Sequence, residues 1–325
     1  MISVLVATYN GEKYITEELE SIAKQTLPAD EVIICDDCSE DKTVELVSEF
    51  IGQNDLENWK IAVNDENKGY CRNFLDMVQA AKGDIIFLCD QDDVWNHEKI
   101  KRMTGYMNEN PRINALFCSC NAIDGNGEKI PSPKNAGRFF DGDRGTVEFF
   151  DPESFVGRSF IRGCSMCFRR EIVPYLTSME LKGIMSHDWL ISFVAALTGL
   201  CAHFDAALVD YRCHGGNTSF GERKVDRDGL IKRIDALENS VNGHRYIAEN
   251  ADSFKNMTVK LKRKIEKHIR FEEKRIDFLK RRSILKAVPL VFSVFHYRCY
   301  YGGMSGALRV LAGDIVFSKN NVGNE

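Results

Sequence analysis

The first 120 residues alternate between short apolar runs and segments in which apolar residues recur every three or four positions. The runs predict buried β-strands, and recurring positions such as Ile15, Leu19 and Ile22 predict helices with one buried face, the third of which is expected to end with Gly83 as its C-cap. Strands that alternate with helices favour an α/β fold with a mostly parallel, Rossmann-like sheet. The predicted strands are residues 2–7, 31–35, 59–63, 84–89 and 113–120.

The pattern changes in the second half of the chain. Residues 121–160 are rich in Gly, Pro, Asp and Asn, which predicts a long loop. A helix is predicted at 189–200 and a closing strand at 203–211, and the pattern from about residue 220 onwards is helical. We therefore expect a large α/β domain over residues 1–215 and a helical region over residues 216–325.

Charge is distributed unevenly along a chain whose formal net charge is −5. Residues 255–286 hold 13 Lys and Arg against 4 Asp and Glu, which gives +9 locally and leaves −14 for the rest. Ile265, Ile269, Ile276 and Leu279 lie close to one face of the helix predicted over residues 255–282, and a basic amphipathic helix is typical of contact with an anionic membrane surface. A helical hairpin packed on the rest of the protein and a homodimer interface are the alternatives. The basic residues are not interleaved with stacking aromatic residues, so no nucleic acid is expected as a partner.

The cysteines and the N-terminal residues indicate in which cellular compartment the protein is expected. The 11 cysteines follow no spacing framework, and the pair Cys164 and Cys167 is not followed by a second pair, so we expect structural thiols in a reducing environment. The first residues lack a basic start and a cleavage pattern, and no apolar run is long enough to span a bilayer. These features predict a cytoplasmic protein, with peripheral contact at the inner face of the cell membrane through its basic segment.

Polar side chains follow the first, second and fourth predicted strands. The carboxyl ends of parallel strands meet at one edge of the sheet, where ligands bind in open α/β folds. The side chains at this edge are Thr8, Tyr9 and Asn10, then Asp36, Asp37 and Ser39, then Asp90, Gln91, Asp92 and Asp93.

Three of the residues at 90–93 are carboxylates. Like charges this close raise one another's pKa unless a cation is present. Mn²⁺ or Mg²⁺ would relieve the repulsion, because hard divalent ions take oxygen ligands from one or two carboxylates and from phosphates. A solvated acidic turn is the alternative. Asp36 and Asp37 either form a turn that leads into the next helix or bind the N3–H of a uracil or thymine base.

Taken together, these motifs resemble those of family 2 glycosyltransferases with the GT-A fold. The resemblance covers residues 1 to about 215 and includes the similar Tyr-Arg-x-His-Gly stretch of bacterial polysaccharide transferases and rhamnosyltransferases. It rests on the order and spacing of SVLVATYNG (3–11), ICDDCS (34–39), NKG (67–69), KGD (82–84), LCDQDDVW (88–95), GCSMCFR (163–169), HDW (187–189) and YRCHG (211–215).

The resemblance implies roles for individual residues. Thr8, Tyr9, Asp37 and Asp90 would bind the nucleotide, with Asp37 at the base. Asp92 would be the direct metal ligand of the DxD motif.

The HDW segment stands where the family commonly has a Glu-Asp pair, so Asp188 would be the catalytic base, with His187 as a departure from the pattern. Capping of the helix near Trp189 is the alternative role of Asp188. His214 is a second candidate metal ligand, since imidazole binds divalent metals. Arg212 is a candidate phosphate contact.

The expected reaction is therefore inverting transfer of a sugar from an NDP-sugar, dTDP-rhamnose or a UDP-hexose, to a hydroxyl of a growing cell-surface polysaccharide or lipid-linked glycan. A nucleotidyltransferase is one alternative, although the N-terminal segment lacks the glycine-rich basic signature of that class. A catalytically inactive nucleotide- or glycan-binding relative is the other, and the retention of Asp90, Asp92 and Asp188 speaks against it.

Overall fold

A computed structural model describes residues 1–132, 139–142, 144–177, 183–215, 226–281, 288–291, 293 and 304–319. These residues form an α/β sheet and a set of long helices. The strands are β1 (Ile2–Thr8), β2 (Glu31–Asp36), β3 (Trp59–Val63), β4 (Ile85–Asp90), β5 (Val94–Trp95), β6 (Ile113–Ile123), β7 (Lys129–Ile130), β8 (Val147–Phe150), β9 (Met166–Arg169) and β10 (Leu200–Arg212). The helices are α1 (Ile15–Ala23), α2 (Thr43–Gln53), α3 (Tyr70–Ala80), α4 (Lys99–Glu109), α5 (Val173–Thr177), α6 (His187–Thr198), α7 (Arg227–Glu249), α8 (Val259–Arg281) and α9 (Met304–Lys319).

The described strands form one sheet in the order β3-β2-β1-β4-β9-β6-β10-β5, with β7 on β6 and β8 on β10. Strands β1, β2, β3 and β4 pair in parallel, as do β6 and β10. Strand β9 is antiparallel to both β4 and β6, which brings those two strands into the same direction. The predicted α/β class with a mostly parallel sheet is confirmed.

The buried strands follow from their composition. Val4, Leu5 and Val6 in β1 are fully buried, as the continuous apolar run predicts for a central strand covered on both faces. Gly83 differs from its predicted role. Helix α3 ends at Ala80, and a Cβ at Gly83 would lie 2.5 Å from the backbone nitrogen of Ser3, so the glycine is needed where the chain passes close to β1 and not as a helix cap.

Two predicted segments are corrected by the structure. The long loop at 121–160 contains the end of β6 and the short strands β7 and β8, which pair with β6 and β10. The predicted strand at 203–211 is the middle of the longer β10, which reaches from Leu200 to Arg212. Gly and Asp in this part of the chain mark turns between short edge strands, which cover few residues each and leave little alternation to detect.

The chain forms two compact units. The sheet unit comprises Met1–Asp151, Phe160–Met179 and Ile191–Asn217, and the helical unit comprises Pro152–Ser159, Glu180–Leu190 and Thr218–Glu325. The segments at 152–159 and 180–190 thus group with the helical unit, whereas the predicted boundary at residue 215 assigns them to the α/β part. That boundary, as a limit between folding domains, stays a prediction.

The helical unit has its own core between α7, α8 and α9. Ile265 and Leu279 of α8 are fully buried, and Leu279 and Ile276 pack in the apolar cluster of this unit. Asp314 of α9 is buried and pairs with Arg233 at 2.6 Å and with Arg275 at 2.8 Å. Among the described helices, none is both long enough and apolar enough to cross a bilayer. The apolar cluster comprises Leu230, Leu237, Phe271, Phe278, Leu279, Leu290, Val310, Leu311 and Phe317.

Candidate active site

The ends of β1 and β2 meet through a buried hydrogen bond. Thr8 Oγ1 donates to Asp36 Oδ1 at 2.8 Å, and the amide and hydroxyl of Ser39 also donate to the Asp36 carboxylate, at 2.7 Å and 2.6 Å. Asp36 is fully buried. The carboxylate therefore fixes the turn after β2 against the end of β1, which is the structural role that the sequence left open for this acidic pair.

Asp37 holds the loop between β3 and α3. Its carboxylate accepts hydrogen bonds from the backbone amides of Lys68 and Gly69, at 2.9 Å and 2.7 Å, and from the side-chain amide of Asn64 at 2.8 Å. Gly69 adopts a φ of +78°, which glycine reaches without steric cost. A carboxylate has about four lone-pair sites, so Asp37 retains capacity for one further donor, such as the N3–H of a base.

Gln91 joins the loop after β1 to the loop after β4. Its side-chain oxygen accepts from the backbone amide of Tyr9 at 2.8 Å, and its side-chain nitrogen donates to the carbonyl of Tyr9 at 2.9 Å. A Cβ on Gly11 would lie 2.2 Å from the Gln91 oxygen, so glycine leaves the space for this bridge. The ring of Tyr9 remains 47% exposed, where a planar ligand can stack on it.

Two predicted metal ligands that are far apart in sequence lie in contact. His214 Nε2 is 2.8 Å from Asp92 Oδ2, and both side chains are about one-fifth exposed, at 21% and 18%. The short strand β5 pairs with β10 directly after the acidic motif, which brings the residues after β10 to the DxD loop. The ring of Tyr14 from the segment before α1 lies 5.1 Å from the His214 ring.

Arg212 is buried and hydrogen-bonds to the acidic motif. Its backbone amide donates to Asp93 Oδ1 at 2.9 Å, its Nε donates to the carbonyl of Asp92 at 2.8 Å, and its guanidinium pairs with Glu17 at 2.6 Å. The side chain is only 1% exposed and lies over the ring of Tyr14. These contacts make Arg212 a positioning group for Asp92 and His214, in place of the phosphate contact considered from the sequence.

A buried layer of charged groups lies beneath the acidic motif. Burial, and next the carboxylate of Asp92, raise the pKa of Asp93 to about 7. Burial, and next the carboxylate of Asp93, raise the pKa of Glu18 well above its usual range. Lys99 is fully buried, lies 3.2 Å from the centre of the Trp95 ring and donates to the carbonyl of Cys164 at 2.5 Å. This lysine supplies positive charge close to several carboxylates.

Glu18 and Lys99 were not singled out from the sequence, and Gln91 was named only as one of the polar residues after β4, without its bridging role. Glu18 falls three residues after Ile15, on the face of α1 that the apolar pattern predicts to be buried, and a carboxylate on such a face is a detectable signal. Lys99 and Gln91 carry no comparable signal, because their partners come from distant parts of the chain.

The donor set fits a hard divalent cation. Adjacent ligand atoms of one octahedral ion lie about 3 Å apart, which matches the separation of Asp92 and His214. Asp90, Asp93 and Cys164 also offer ligand atoms within 4.8 Å of one another. Asp93, however, is buried against Arg212, and the hydrogen bond between Cys164 and Cys120, and next burial, raise the pKa of the Cys164 thiol well above its usual range. Asp92 and His214, the two predicted metal ligands, are therefore the residues that would hold the ion.

The cysteines behave as the sequence predicts for structural thiols. Cys164 and Cys167 are both buried and free of disulfides. Burial raises the pKa of Cys167 above its usual range, which keeps the thiol protonated and unreactive.

Asp188 lies in the first turn of α6, within the helical unit. Its Oδ1 accepts the backbone N–H of Trp189 at 2.6 Å and the hydroxyl of Ser186. Ser186 precedes the helix and its Oγ accepts the N–H of Trp189 at 3.4 Å, so Ser186, and not Asp188, occupies the capping position. His187 is buried, and burial lowers its pKa.

Comparison with known proteins agrees with the fold and the motifs. An uncharacterized protein of Mycobacterium tuberculosis is 26% identical over 255 residues, which cover 75% of this chain and 70% of that protein. Poly(ribitol-phosphate) beta-N-acetylglucosaminyltransferase TarS of Staphylococcus aureus is 35% identical over 127 residues, which cover 38% of this chain and 22% of TarS.

Solved structures extend the similarity to nearly the whole chain. The crystal structure of S. aureus TarS 1–349 in complex with UDP-GlcNAc aligns with a TM-score of 0.61 at 19% identity, over 98% of this chain and 88% of that one. The mannosyltransferase PcManGT from Pyrobaculum calidifontis, in complex with GDP-Man and Mn²⁺, aligns with a TM-score of 0.52 at 16% identity, over 99% of this chain and 86% of that one. These alignments confirm the GT-A fold.

The family description "Glycosyl transferase family 2" matches residues 3–173, which is more than half of the chain and includes the strand ends that carry the acidic motifs. The protein belongs to glycosyl transferase family 2.

Proposed function

We propose that this protein is an inverting glycosyltransferase that moves a sugar from a nucleoside diphosphate sugar to a hydroxyl group of a cell-surface polysaccharide or lipid-linked glycan. The contact of Asp92 with His214, at the sheet edge that also holds Thr8 and Asp37, is the observation that carries the proposal. This contact supports the proposal because it places the two proposed cation ligands at the sheet edge that carries the proposed nucleotide-binding residues.

A UDP-sugar is the first donor to test, and dTDP-rhamnose is the second. TarS was crystallised with UDP-GlcNAc, and its name describes an N-acetylglucosaminyltransferase that acts on poly(ribitol-phosphate). The spare acceptor capacity of Asp37 suits the N3–H that uracil and thymine share.

The chain's own residues would bind and orient the donor. Thr8, the exposed ring of Tyr9, Asp37 and Asp90 would hold the nucleotide, and Asp92 with His214 would hold Mn²⁺ or Mg²⁺. A divalent ion, when bound, supplies positive charge that stabilises the leaving diphosphate. Arg212 would keep Asp92 and His214 in place throughout turnover.

Asp188 would act as the general base. Its carboxylate takes the proton of the acceptor hydroxyl as the oxygen forms a bond to the anomeric carbon of the donor sugar. The bond from that carbon to the diphosphate oxygen breaks with its electron pair, and the nucleoside diphosphate leaves. A single in-line displacement of this kind inverts the anomeric centre.

The outer face of α8 supports a peripheral contact with an anionic membrane surface. Arg263, Lys267, Arg270 and Lys274 are exposed and recur every three or four residues, so they form one basic stripe. Because the apolar face of α8 is buried in the helical unit, such a contact would be electrostatic and would not involve insertion of this helix.

Calorimetric titration of the purified chain with UDP, dTDP and GDP, with and without Mn²⁺, tests the donor site. We expect Mn²⁺-dependent binding of one pyrimidine diphosphate, weakened at least about tenfold by Asp92→Asn because the cation loses a charged ligand. Asp55→Asn is the matched control, since Asp55 is exposed after α2 and has a φ of +52° that asparagine tolerates. Equal affinity of both variants for the diphosphate would overturn the proposed role of Asp92 in the donor site.

A further inference from the structure

The residue that follows the proposed base is anchored in the helical unit. Trp189 is 1% exposed, its Nε1–H donates to the carbonyl of Phe155 at 2.8 Å, and its ring lies 4.8 Å from the ring of His244 in α7. Asp188 accepts the backbone N–H of Trp189. The orientation of the Asp188 carboxylate therefore depends on where the Trp189 side chain is held.

His244 connects α7 to the segment that anchors Trp189. Its Nε2 accepts the backbone N–H of Gly157 at 3.0 Å, so the ring proton lies on Nδ1, which donates to the carbonyl of Ser240 at 2.8 Å. Burial lowers the pKa of His244 to about 4, so the ring is neutral near pH 7.

These contacts argue against a metal site in this part of the molecule. His244, His268 and Glu272 lie close enough together to share an ion. Both ring nitrogens of His244, however, are already hydrogen-bonded to backbone groups, and a ligand needs a free lone pair. The cluster is better explained as a support for the Gly157 segment.

Two glycines show how closely the parts of this cluster approach. A Cβ on Gly243 would lie 2.6 Å from Cζ3 of Trp189, and one on Gly157 would lie 2.5 Å from Cε1 of His268. Gly157 also adopts a φ of +71°. Because Gly243 lies inside α7, where alanine would ordinarily favour the helix, its use there points to the close approach of the indole.

We propose that α7 positions the catalytic base: Gly243 and His244 hold Trp189 and, through it, the carboxylate of Asp188. Helix α7 then contributes to catalysis indirectly, as a support for the segment that begins α6. His244 and Trp189 are positioning residues, because they act through Asp188. This inference rests on the proposed role of Asp188 as the base.

Gly243→Ala tests the inference by adding one methyl group against the indole. We expect kcat for UDP release from UDP-GlcNAc in the presence of Mn²⁺ to fall about tenfold or more, with the Kd of UDP changed less than about twofold, because displacement of a catalytic group by ~1 Å can cost up to about a hundredfold. Gly105→Ala in α4 is the control, since its Cβ would meet open space. A loss of kcat in both variants, or in neither, would overturn the inference.

The same change in an Asp188→Asn background separates the two proposals. If Gly243 acts through Asp188, Gly243→Ala has no further effect on kcat once Asp188 is replaced. A full additional loss would overturn the positioning role while leaving the base assignment intact. Unchanged kcat in Asp188→Asn alone would instead remove the proposed base.

Hydrogen–deuterium exchange gives a readout that does not depend on the donor or on turnover. We expect faster exchange at residues 186–190 in Gly243→Ala and in His244→Leu, whereas His244→Gln, which can both donate and accept, restores wild-type exchange. Should Gly243→Ala fail to fold, the two His244 variants decide the question. Equal exchange at 186–190 in the wild type and in His244→Leu would overturn the positioning role.

Discussion

Gln91 is the middle residue of the DxD motif in the sequence. Its side chain hydrogen-bonds to the loop after β1. The amide pairs in both directions with the backbone of Tyr9, as two strands of a sheet would pair. A residue in the middle of the motif therefore ties the loop that would hold the nucleoside to the loop that would hold the cation. We therefore expect nucleotide binding and cation binding to depend on one another.

Replacing Gln91 with Met removes both hydrogen bonds and keeps the length of the side chain. We expect the Mn²⁺-dependent affinity for UDP to fall about three- to tenfold, since each bond contributes about 0.5–1.5 kcal/mol to the geometry of the loop. Calorimetric titration measures the change. Gln53→Met, at the exposed end of α2, is the matched control, and unchanged affinity in Gln91→Met would show that the bridge is not needed.

Sequence patterns predicted the strand ends of the site better than the side-chain contacts made there. The position of Asp92 after a buried strand and the motif around His214 predicted two residues that the structure brings to 2.8 Å. The contacts of Asp37 with the amides of Lys68 and Gly69 could not be predicted, because backbone donors leave no residue-type signal. The sequence suggested Arg212 as a phosphate contact, whereas the structure shows a buried side chain that hydrogen-bonds to Asp92 and Glu17. These contacts could not be predicted because they depend on how distant parts of the chain meet in three dimensions.

Among the secondary-structure elements, the helices were easier to predict from the sequence than the surfaces that they pack against. The basic helix expected between Lys255 and Arg282 is present as α8, from Val259 to Arg281. Its apolar stripe indicated one buried face, but a stripe alone does not show whether a membrane, a second copy or another helix covers it. In the described structure α7 and α9 pack with it around a shared apolar cluster, so another part of the same helical unit covers part of this stripe.

Buried ionisable residues of α7 and α8 should make the free energy of unfolding fall at acidic pH. Burial lowers the pKa of His244 to about 4, so the folded state favours the neutral ring. The contribution of His244 to the free energy of unfolding is fully present above its unfolded pKa of about 6.5 and is lost as the pH falls towards 4. Burial alone would raise the pKa of Glu272, but the charge of His268 and the hydrogen bond to it outweigh burial and hold the pKa at about 2, so its contribution declines at still lower pH.

Chemical denaturation at pH 7.5 and pH 5 measures this effect. We expect the wild type to lose on the order of 1–2 kcal/mol more of its free energy of unfolding over this interval than His244→Gln, which cannot titrate. Both His268 and Glu272 face His244 from α8, and they are retained in both proteins, so the difference isolates His244. Equal losses in the two proteins would contradict the assignment of the neutral ring.

At the scale of the whole molecule, the main feature is the separation of charge. A chain with a net charge of −5 carries an exposed basic stripe on one helix, so its charge is distributed unevenly. Such a stripe would attract an anionic surface at low ionic strength and release it as salt screens the charges.

Co-sedimentation with vesicles that contain anionic lipid tests the stripe. We expect binding at about 50 mM salt that is lost near 500 mM, and lost at both concentrations when Arg263, Lys267, Arg270 and Lys274 are all replaced by Ser. Replacement of four exposed lysines of the sheet unit, Lys24, Lys42, Lys60 and Lys101, is the charge-matched control. Equal sedimentation of the two variants would rule out the stripe as the membrane contact.

The place of β10 in the sheet also has a consequence for the newly made chain. This strand lies between β6 and β5 and brings Arg212 and His214 to an acidic motif that left the ribosome more than one hundred residues earlier. Until β10 is in place, the backbone carbonyl of Asp92 and the carboxylate of Asp93 lack their hydrogen bonds from Arg212. Donor binding should therefore mature only after β10 has been made, so that a nascent chain cannot sequester nucleotide sugar before about two-thirds of its residues have been added.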